Sequence, residues 1–210
     1  MPGPRVEKVV TSGTFNLDGG SWDVDNNVWL LGDDEQVLIV DAAHDADAIA
    51  AAANGREVVA IACTHAHDDH VGAAPALSAK VGAPVLLHPA DDVLWRLAHA
   101  DARPTAELAD GDSLRVAGLE VRVLHTPGHA PGAVCLHVPE LGVLFTGDTL
   151  FQGGPGATGR SYSDFDLIVD SIRGRLLTLP ADTVVHTGHG DDTTIGAEAP
   201  HLEEWIARGH

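Results

Sequence analysis

The chain has 210 residues, 44% of them hydrophobic, which is enough for one domain of ordinary to large size over residues 1–210 with a sizeable core. Its 12 Lys and Arg residues against 31 Asp and Glu residues give a formal charge of −19, and a field of this sign repels polyanions, so we exclude nucleic acid and anionic membrane surfaces as partners. No window approaches the ~20 apolar residues of a membrane span and no export signal is visible, so we expect a soluble, cytoplasmic protein.

In the first half of the chain, apolar runs between acidic or glycine-containing turns predict strands, and alanine-rich or periodic segments predict helices. The predicted strands cover residues 5–12, 27–32, 36–41, 58–63 and 84–88. The predicted helices cover residues 45–53, 72–80 and 91–100, the last with Leu94 and Leu97 on its apolar side. Cys63 and Cys135 lie in apolar runs, which predicts buried free thiols rather than a disulfide.

The second half of the chain is predicted to be rich in hairpins. Their strands cover residues 113–116 with 119–124, and residues 133–138 with 142–145. Residues 152–160 contain four glycines and a proline, which favours a flexible active-site loop. The remaining predicted elements are a helix over 164–177 with Leu167, Ile168, Ile172 and Leu176 at helical spacing, a strand over 183–185, and a closing helix over 197–208 whose regular part begins at Pro200.

A dense group of potential metal ligands directly follows the fourth predicted strand. It consists of His65, His67, Asp68, Asp69 and His70. A loop at the end of a buried strand has a rigid base and an adaptable backbone, which is where binding chemistry is common. Neutral imidazoles with a carboxylate suit a borderline metal such as zinc or iron, whereas the alternative, a solvated polar loop, does not account for this density. Asp68 lies one residue outside the ligand spacing and is expected to cap the following helix.

Three later strand ends carry side chains of the same kind. His125 and His129 follow the strand that starts at residue 119, Asp148 follows the second hairpin, and His186 and His189 follow the last strand. Because four separate turns each end a β-run with a metal-binding side chain, we expect strands, rather than proximity in sequence, to bring these residues together.

Taken together, these turns resemble the motifs of the metallo-β-lactamase superfamily, over nearly the whole chain. The motifs are Thr64-His65-Ala66-His67-Asp68-Asp69-His70, Thr126-Pro127-Gly128-His129, Thr146-Gly147-Asp148 and Gly188-His189-Gly190. The resemblance implies an α/β fold of a particular kind. This is a four-layer αβ/βα sandwich, in which two mixed β-sheets are flanked by helices and the metals lie in a cleft at one edge between the sheets.

The resemblance also implies a set of metal ligands. By position it divides into two triads and a bridging residue: His65, His67 and His129; Asp69, His70 and His189; and Asp148. A shared hydroxide would lie between the metals, oriented by Asp69. Because metal binding lowers the pKa of water to ~7, this hydroxide is a nucleophile at neutral pH. The implied protein is a metallo-hydrolase with two zinc ions, or with iron(II), in which Asp69 and Asp148 are the catalytic residues.

Single positions separate the branches of this superfamily. Class B1 β-lactamases resemble the pattern but have a cysteine at the position of Asp148, and diiron flavoproteins have a glutamate at the position of His67. Nuclease branches add a large second domain and act on polyanions, which the charge disfavours. What remains is the small-molecule thioesterase branch, similar to glyoxalase II, in which a thiol of pKa ~8.5 leaves without help from a general acid.

The sequence says less about the substrate. The larger glyoxalase II enzymes bind glutathione through basic C-terminal residues, whereas the residues after His189 are mostly acidic or apolar, which disfavours glutathione as the thiol carrier. Arg160, in the glycine-rich loop, is the candidate for binding a substrate carboxylate, and a surface arginine is the alternative interpretation. A small-molecule substrate is the expected partner, and a homodimer stays open.

Other activities of the same fold remain as alternatives. The strongest is an Fe(II)-dependent persulfide dioxygenase, whose iron would be held by the positions matching His65, His129 and Asp148. β-Lactamase or lactonase activity is a weaker alternative. A non-catalytic member of the family would fail to bind metal, and the intact motifs disfavour it.

The other polar residues have less specific interpretations. Asp41 ends a strand and either faces the same cleft or lies at a helix N-terminus. His125 and His186 are expected to support the ligands or to belong to the core. The remaining histidines are expected to be structural or solvated: His44, His88, His99, His137, His201 and His210.

Overall fold

A computed structural model of the chain describes residues 3–209. The first sheet contains six strands, whose spatial order is their order in the chain: β1 (Arg5–Leu17), β2 (Gly20–Gly32), β3 (Gln36–Val40), β4 (Glu57–Ala62), β5 (Val85–Leu87) and β6 (Ala106–Glu107). β1 to β3 run antiparallel, and β3 to β6 run parallel. The helices of this half are α1 (Ala46–Ala53), α2 (Asp68–Val71), α3 (Ala74–Val81) and α4 (Asp92–Ala98).

The second half of the chain forms another six-stranded sheet and a small two-stranded one. In chain order the strands are β7 (Ser113–Val116), β8 (Leu119–His125), β9 (Val134–Val138), β10 (Val143–Gly147), β11 (Leu150–Phe151), β12 (Gly154–Pro155), β13 (Val184–Thr187) and β14 (Thr193–Thr194). β11 pairs with β12 in the small sheet. The large sheet has the order β14-β13-β10-β9-β8-β7, in which β13 and β10 are parallel and the other neighbouring strands are antiparallel. The helices are α5 (Phe165–Ser171), α6 (Ile195–Glu198) and α7 (Leu202–Arg208).

Three apolar clusters separate four layers. Val37 and Ile39 of β3 face the helices of the first half, while Leu38 and Val40 face the second sheet, because successive side chains of a strand point to opposite faces. Leu144 of β10 belongs to a third cluster, shared with α5 and α7. The first cluster includes Ile49, Leu77, Leu94 and Trp95 of α1, α3 and α4. The layers are therefore helix, sheet, sheet and helix, and the predicted αβ/βα sandwich is confirmed.

The first hairpin is longer than predicted. β1 continues to Leu17 and β2 begins at Gly20, whereas the apolar pattern predicted strands only over residues 5–12 and 27–32. The far half of the hairpin is largely exposed, so it carries little of the apolar signal that marks a buried strand. The turn residues Asp18 and Gly19 both have positive φ, 53° and 78°, as a tight two-residue hairpin turn requires.

Several smaller elements also differ from the prediction. Leu97 is 65% exposed and Leu167 is 43% exposed, so both were wrongly assigned to apolar helix faces. The helix after Asp164 ends in a π-helical turn over Ile172–Leu176. The closing helix is divided into α6, a 3-10 turn at Ala199–His201 and α7, because Pro200 lacks the N–H that a continuous helix would use.

Cys63 and Cys135 are buried free thiols, as predicted. Of the helices formed by residues 3–209, none has the length and apolar content that crossing a bilayer would take.

Candidate metal centre

The structure brings all seven predicted ligand residues together at one edge of the two large sheets. Each follows or ends a strand, or lies in the short helix α2 just after β4. The residues are His65 and His67 after β4, Asp69 and His70 in α2, His129 after β8, Asp148 after β10, and His189 after β13. All but Asp148 and His189 are buried. Ends of strands from two packed sheets thus create this cleft, as the sequence predicted.

His65, His67 and His129, here called the first triad, place three ring nitrogens close together. His67 Nδ1 lies 3.0 Å from His65 Nε2 and 3.0 Å from His129 Nε2. His129 Nδ1 donates to the carbonyl of Ala157 at 2.8 Å, and His65 Nδ1 lies 3.1 Å from Thr64 Oγ1. With their Nδ1 protons engaged there, both Nε2 atoms direct lone pairs toward His67. Lone pairs that face one another in this way fit a cation.

Asp69, His70 and His189, here called the second triad, form a similar group. The Nε2 atoms of His70 and His189 are 3.2 Å apart, and Asp69 Oδ2 lies 3.5 Å from the first and 3.3 Å from the second. His189 Nδ1 donates to the carbonyl of Asp25 at 2.7 Å, and His70 Nδ1 lies 2.9 Å from Asp41 Oδ2. Partners on the outer nitrogen fix the tautomer that leaves Nε2 free for a metal.

Asp148 lies between the two triads. Its Oδ2 is 3.5 Å from His129 Nε2 and 3.4 Å from His189 Nε2, and its Oδ1 is 3.2 Å from His70 Nε2. Within residues 3–209, this Oδ1 has no hydrogen bond of acceptable geometry. A buried carboxylate oxygen without a hydrogen-bond donor is costly, and a bound cation would remove that cost. The donor set of imidazoles and carboxylates therefore fits metal binding, with zinc or iron as the metals of choice.

Burial keeps the first triad neutral. It lowers the pKa of His67 to about 3, with the neighbouring His129 adding to the effect. Burial also holds the pKa of His65 well below its ordinary value and lowers that of His129. A neutral imidazole is the form that binds a metal, so these rings are ready as ligands at neutral pH.

The second triad has the opposite electrostatics. Burial opposes the charge on Asp69, but the charge of His70 and hydrogen bonds from His189 and Asn26 outweigh it and lower the pKa of Asp69 to about 2. Burial likewise opposes protonation of His189, but the charge and hydrogen bond of Asp148 and the hydrogen bond of Asp69 raise its pKa to about 10. The metal-free second triad therefore holds a proton between carboxylates, where a cation would replace it.

Asp41 is buried behind the cleft, in contact with a ligand residue and away from the N-terminus of α1. It accepts hydrogen bonds from Thr64 N at 2.7 Å and Thr64 Oγ1 at 2.9 Å, and it contacts His70 Nδ1 at 2.9 Å. The N-terminus of α1 is capped instead by Asp45. Asp41 thus connects the loop that carries the first triad to a ligand of the second.

Two adjacent asparagines of β2 also support the site, and the sequence reasoning missed both. Asn26 Nδ2 donates to Asp69 Oδ2 at 2.9 Å. Asn27 Nδ2 donates to the carbonyls of Thr187 and Gly190 at 3.1 and 2.9 Å, which holds the loop around His189. Asparagine is depleted in strands, so two in succession at a buried strand was the signal that could have identified them.

Asp91 joins the two loops that carry the first triad, and it too was missed. Its Oδ2 accepts a hydrogen bond from Ala66 N at 2.8 Å, and its Oδ1 accepts one from Gly132 N. The side chain is fully buried. Burial raises its pKa to about 6, although the two N–H donors act in the opposite direction.

This shift predicts a pH-dependent contribution of Asp91 to stability. The folded chain binds the Asp91 proton more tightly than the unfolded chain, in which the pKa of this carboxyl is 3.8. The stabilisation is therefore fully present at pH values below 3.8 and is lost as the pH rises through the folded pKa of about 6. Between pH 5 and pH 7 the loss is about 1 kcal/mol. The free energy of unfolding of the metal-free wild type minus that of Asp91→Asn, both measured with urea, should fall by this amount from pH 5 to pH 7. A difference that is constant over this range would contradict the assignment.

The cleft opens into a cavity of about 220 Å³. Its walls beside the metal-binding side chains include Phe15, Val24, Phe151 and Arg160. The Arg160 guanidinium lies 4.1 Å from the centre of the Trp22 ring and 5.3 Å from that of Phe15. Within residues 3–209 it uses none of its N–H groups in a hydrogen bond or ion pair. The structure thus places Arg160 at the cavity, oriented by cation–π contacts.

Asp68, His125 and His186 lie near the ligands in sequence, and the structure shows what each of them contacts. Asp68 does not cap α2; it is the first residue of that helix and accepts hydrogen bonds from Asn16 N and Nδ2 at 3.0 and 2.7 Å. His125 contacts the carbonyl of Pro131, and His186 pairs with Asp192, so neither touches the triads.

The other histidines fall into three groups. His88, His99, His137 and His201 lie outside the seven-residue group. His44 contacts Asn26, which the sequence did not predict. The expectation for His210 lies outside the described residues.

A family profile described as "Metallo-beta-lactamase superfamily" matches residues 22–189. The chain belongs to the metallo-β-lactamase superfamily. Among curated superfamily relatives, the "Probable metallo-hydrolase YqgX" of Bacillus subtilis is 35% identical over 82% of this chain and 88% of its own length. The "Hydroxyacylglutathione hydrolase GloC" of Haemophilus influenzae is 33% identical over 82% of this chain and 89% of its own length, which supports the placement near glyoxalase II.

Solved structures of the superfamily agree with the fold. "TTHA1623 in a di-iron-bound form" is 34% identical, with a TM-score of 0.75 over 90% of this chain and 96% of that one. The "BLEG-1 B3 metallo-beta-lactamase" is 33% identical, with a TM-score of 0.74 over 91% and 98%. "ETHE1 from Myxococcus xanthus" is 25% identical, with a TM-score of 0.73 over 95% and 89%. The protein is therefore a metal-using member of a hydrolase superfamily.

Proposed function

We propose that this protein hydrolyses a small-molecule thioester, an S-acyl derivative of a low-molecular-weight thiol, with two zinc ions. The observation that carries the proposal is the position of Asp148, whose carboxylate lies 3.2 to 3.5 Å from ligand nitrogens of both triads. A carboxylate shared in this way suits a pair of cations better than a single one, because it offsets part of their mutual repulsion. The likeness to a hydroxyacylglutathione hydrolase supports the choice of a thioester.

In this proposal each triad would hold one metal and Asp148 would be a ligand common to both. When bound, the metals would lower the pKa of water to ~7 and polarise the carbonyl under attack. Asp69, ionised because its pKa is lowered to about 2, would accept a hydrogen bond from the attacking water and orient it. The bond between the acyl carbon and sulfur then breaks, and a thiolate of conjugate pKa ~8.5 leaves without a proton from the chain.

Arg160 would bind a carboxylate of the substrate. Its guanidinium lines the cavity, is held in place by Trp22 and Phe15, and has unused donors in the planar fork that matches a carboxylate. The cavity volume of about 220 Å³ suits a small substrate. We therefore propose an anionic thioester rather than a neutral one, and leave its acyl group and carrier to the assay.

Replacement of Arg160 should affect binding more than chemistry. A hydrogen-bonded charge pair contributes about 1.5–3 kcal/mol, so Arg160→Ala should raise KM for a carboxylate-bearing thioester about 10- to 100-fold with little change in kcat. A neutral analogue of the same thioester should show no such change. Arg96→Ala serves as the matched control, because Arg96 is exposed and pairs with Asp92 on α4. Equal KM changes for both substrates would contradict the proposal.

A persulfide dioxygenase is the second candidate. It is favoured by the likeness to ETHE1 and by the presence of His65, His129 and Asp148, two imidazoles and one carboxylate, in the same cleft. That donor set is the one expected for a single Fe(II) with open positions. In this alternative the second triad would be the surroundings of the iron rather than a binding site.

One experiment separates these candidates. The protein is purified without added metal, its metal content is measured, and it is assayed for thioester hydrolysis and for oxygen uptake with a persulfide. About two zinc ions per chain with thiol release would support the thioesterase. One iron with oxygen consumption would overturn it in favour of the dioxygenase. Parallel assays with a β-lactam and a lactone test the weaker alternatives, to which the likeness to BLEG-1 is relevant.

A further inference from the structure

His44 lies beside the second triad although no metal-binding motif surrounds it in the sequence. Its backbone has a φ of +56°, which is uncommon for residues other than glycine. Gly13 of β1 makes room for the imidazole, because a Cβ at this position would overlap with the His44 ring. A bulky side chain in a conformation that favours glycine, opposite a glycine that makes room for it, indicates a role for the side chain itself.

The His44 side chain is connected to Asp69 through one residue. His44 Nε2 lies 2.8 Å from Asn26 Oδ1, and Asn26 Nδ2 donates to Asp69 Oδ2 at 2.9 Å. Asn26 is fully buried, so no solvent competes for its amide. The chain of hydrogen bonds therefore runs from His44 through Asn26 to a residue of the second triad.

The direction of these hydrogen bonds follows from the groups involved. Ionised Asp69 can only accept, so Asn26 must turn its NH2 group toward Asp69 and its carbonyl toward His44. A carbonyl also only accepts, so the hydrogen on His44 must lie on Nε2. Burial lowers the pKa of His44, although the charge of Asp69 acts in the opposite direction, which agrees with a neutral ring protonated at Nε2.

His44 removes an ambiguity that Asn26 alone would have. An asparagine amide can rotate by half a turn and exchange its oxygen for its nitrogen. In the wrong orientation the Asn26 carbonyl would face the Asp69 carboxylate and repel it. With the donor of His44 on one side, only the orientation that donates to Asp69 satisfies both neighbours.

We propose that His44 is a positioning residue that acts through Asn26 to fix the Asp69 carboxylate for the second metal. The inference rests on the proposed function, in which Asp69 is a ligand. Loss of such an outer partner typically weakens metal binding 10- to 100-fold. Because the first triad has no part in this chain of hydrogen bonds, the loss should be confined to one of the two metals.

The test compares His44→Gly with wild type in zinc titrations against a competing chelator. Affinity for the second zinc should fall 10- to 100-fold while affinity for the first is unchanged. The urea midpoint should change little, because glycine adopts positive φ without strain and this offsets the lost contacts. Asn54→Gly is the matched control, since Asn54 also has positive φ, 52°, but caps α1 away from the metals. A merely structural role would give the reverse result, a lower midpoint with both zinc affinities unchanged.

Two further variants keep the outcome unambiguous. Asn26→Asp preserves the shape of the side chain and the acceptor for His44 but places a carboxylate against Asp69. It should lower the affinity for the second zinc at least as much as His44→Gly does. Asp69→Ala is the reference variant, which must lower the affinity for the second zinc. If Asp69→Ala does so and His44→Gly does not, the inference is overturned and the proposed function stands; if Asp69→Ala has no effect, both are overturned.

The tautomer of His44 can be measured on the metal-free protein, independently of zinc binding. Imidazole 15N chemical shifts report which ring nitrogen carries the hydrogen. We expect His44 to be protonated at Nε2 in wild type and to become a mixture of tautomers in Asn26→Ala. A wild-type His44 protonated at Nδ1 alone would overturn the inference, whatever the zinc affinities show.

Discussion

Asp148→Ala should abolish thioester hydrolysis, by about a thousandfold or more, while the protein stays folded. The carboxylate contacts nitrogens of both triads at 3.2 to 3.5 Å, so its loss removes the one group that would hold both metals at once. Metal activation of the nucleophile and of the carbonyl is worth several kcal/mol, and each 1.36 kcal/mol is tenfold in rate. The measurements are kcat/KM with an S-acyl thiol and the zinc content of the purified variant.

The fold should survive this change because Asp148 lies outside the apolar clusters that hold the layers together. Val116→Ala provides the opposite case. Val116 is buried between the sheets in the edge strand β7, so its truncation should lower the free energy of unfolding by about 2 kcal/mol with kcat unchanged. Full activity of Asp148→Ala at unchanged zinc content would refute the bridging role.

The position of the cleft could be predicted because it follows from strand geometry. His129, Asp148 and His189 come directly after apolar runs, and those runs form adjacent strands of one sheet, β8 to β10 and β13. Apolar runs of strand length are a strong sequence signal. Residues placed just beyond them are then carried to the same edge, although they lie 62 to 124 positions after His65 and His67.

The outer partners of the site could not be predicted in the same way. Asn26 reaches Asp69 across 43 positions, and Asp91 reaches Ala66 and Gly132 across 25 and 41 positions. Each of these contacts depends on how a strand or a helix packs, and no local pattern records it. The far half of the β1–β2 hairpin was missed because few of its residues are apolar. Phe15 and Leu17 are buried there, but the polar residues around them leave no apolar run of strand length.

Removal of metal should abolish activity completely, and added zinc should restore it. In the metal-free protein His189 has a pKa raised to about 10, so at neutral pH the second triad holds at least one proton that zinc must displace. In the first triad burial lowers the pKa of every ring, so its ligands release none. Burial also opposes protonation of His70, but the neighbouring carboxylates raise its pKa well above its ordinary value. The apparent affinity for the second zinc should therefore rise at least about tenfold for each unit of pH between 6 and 7, and more steeply than the affinity for the first zinc.

The two affinities can be separated by chelator competition at each pH, and the released protons can be counted with an indicator dye in weak buffer. His189→Ala is the matched variant, because it removes one of the proton-holding rings of the second triad but keeps the first triad intact. It should lose the second zinc and the steep pH dependence together. Activity that persists in chelated protein without detectable metal would contradict the hydrolase mechanism as a whole. Equal pH dependence of both zinc affinities would contradict only the electrostatic difference between the triads. That difference has a physical origin, because the imidazoles of the first triad face mainly one another, whereas those of the second face Asp69 and Asp148.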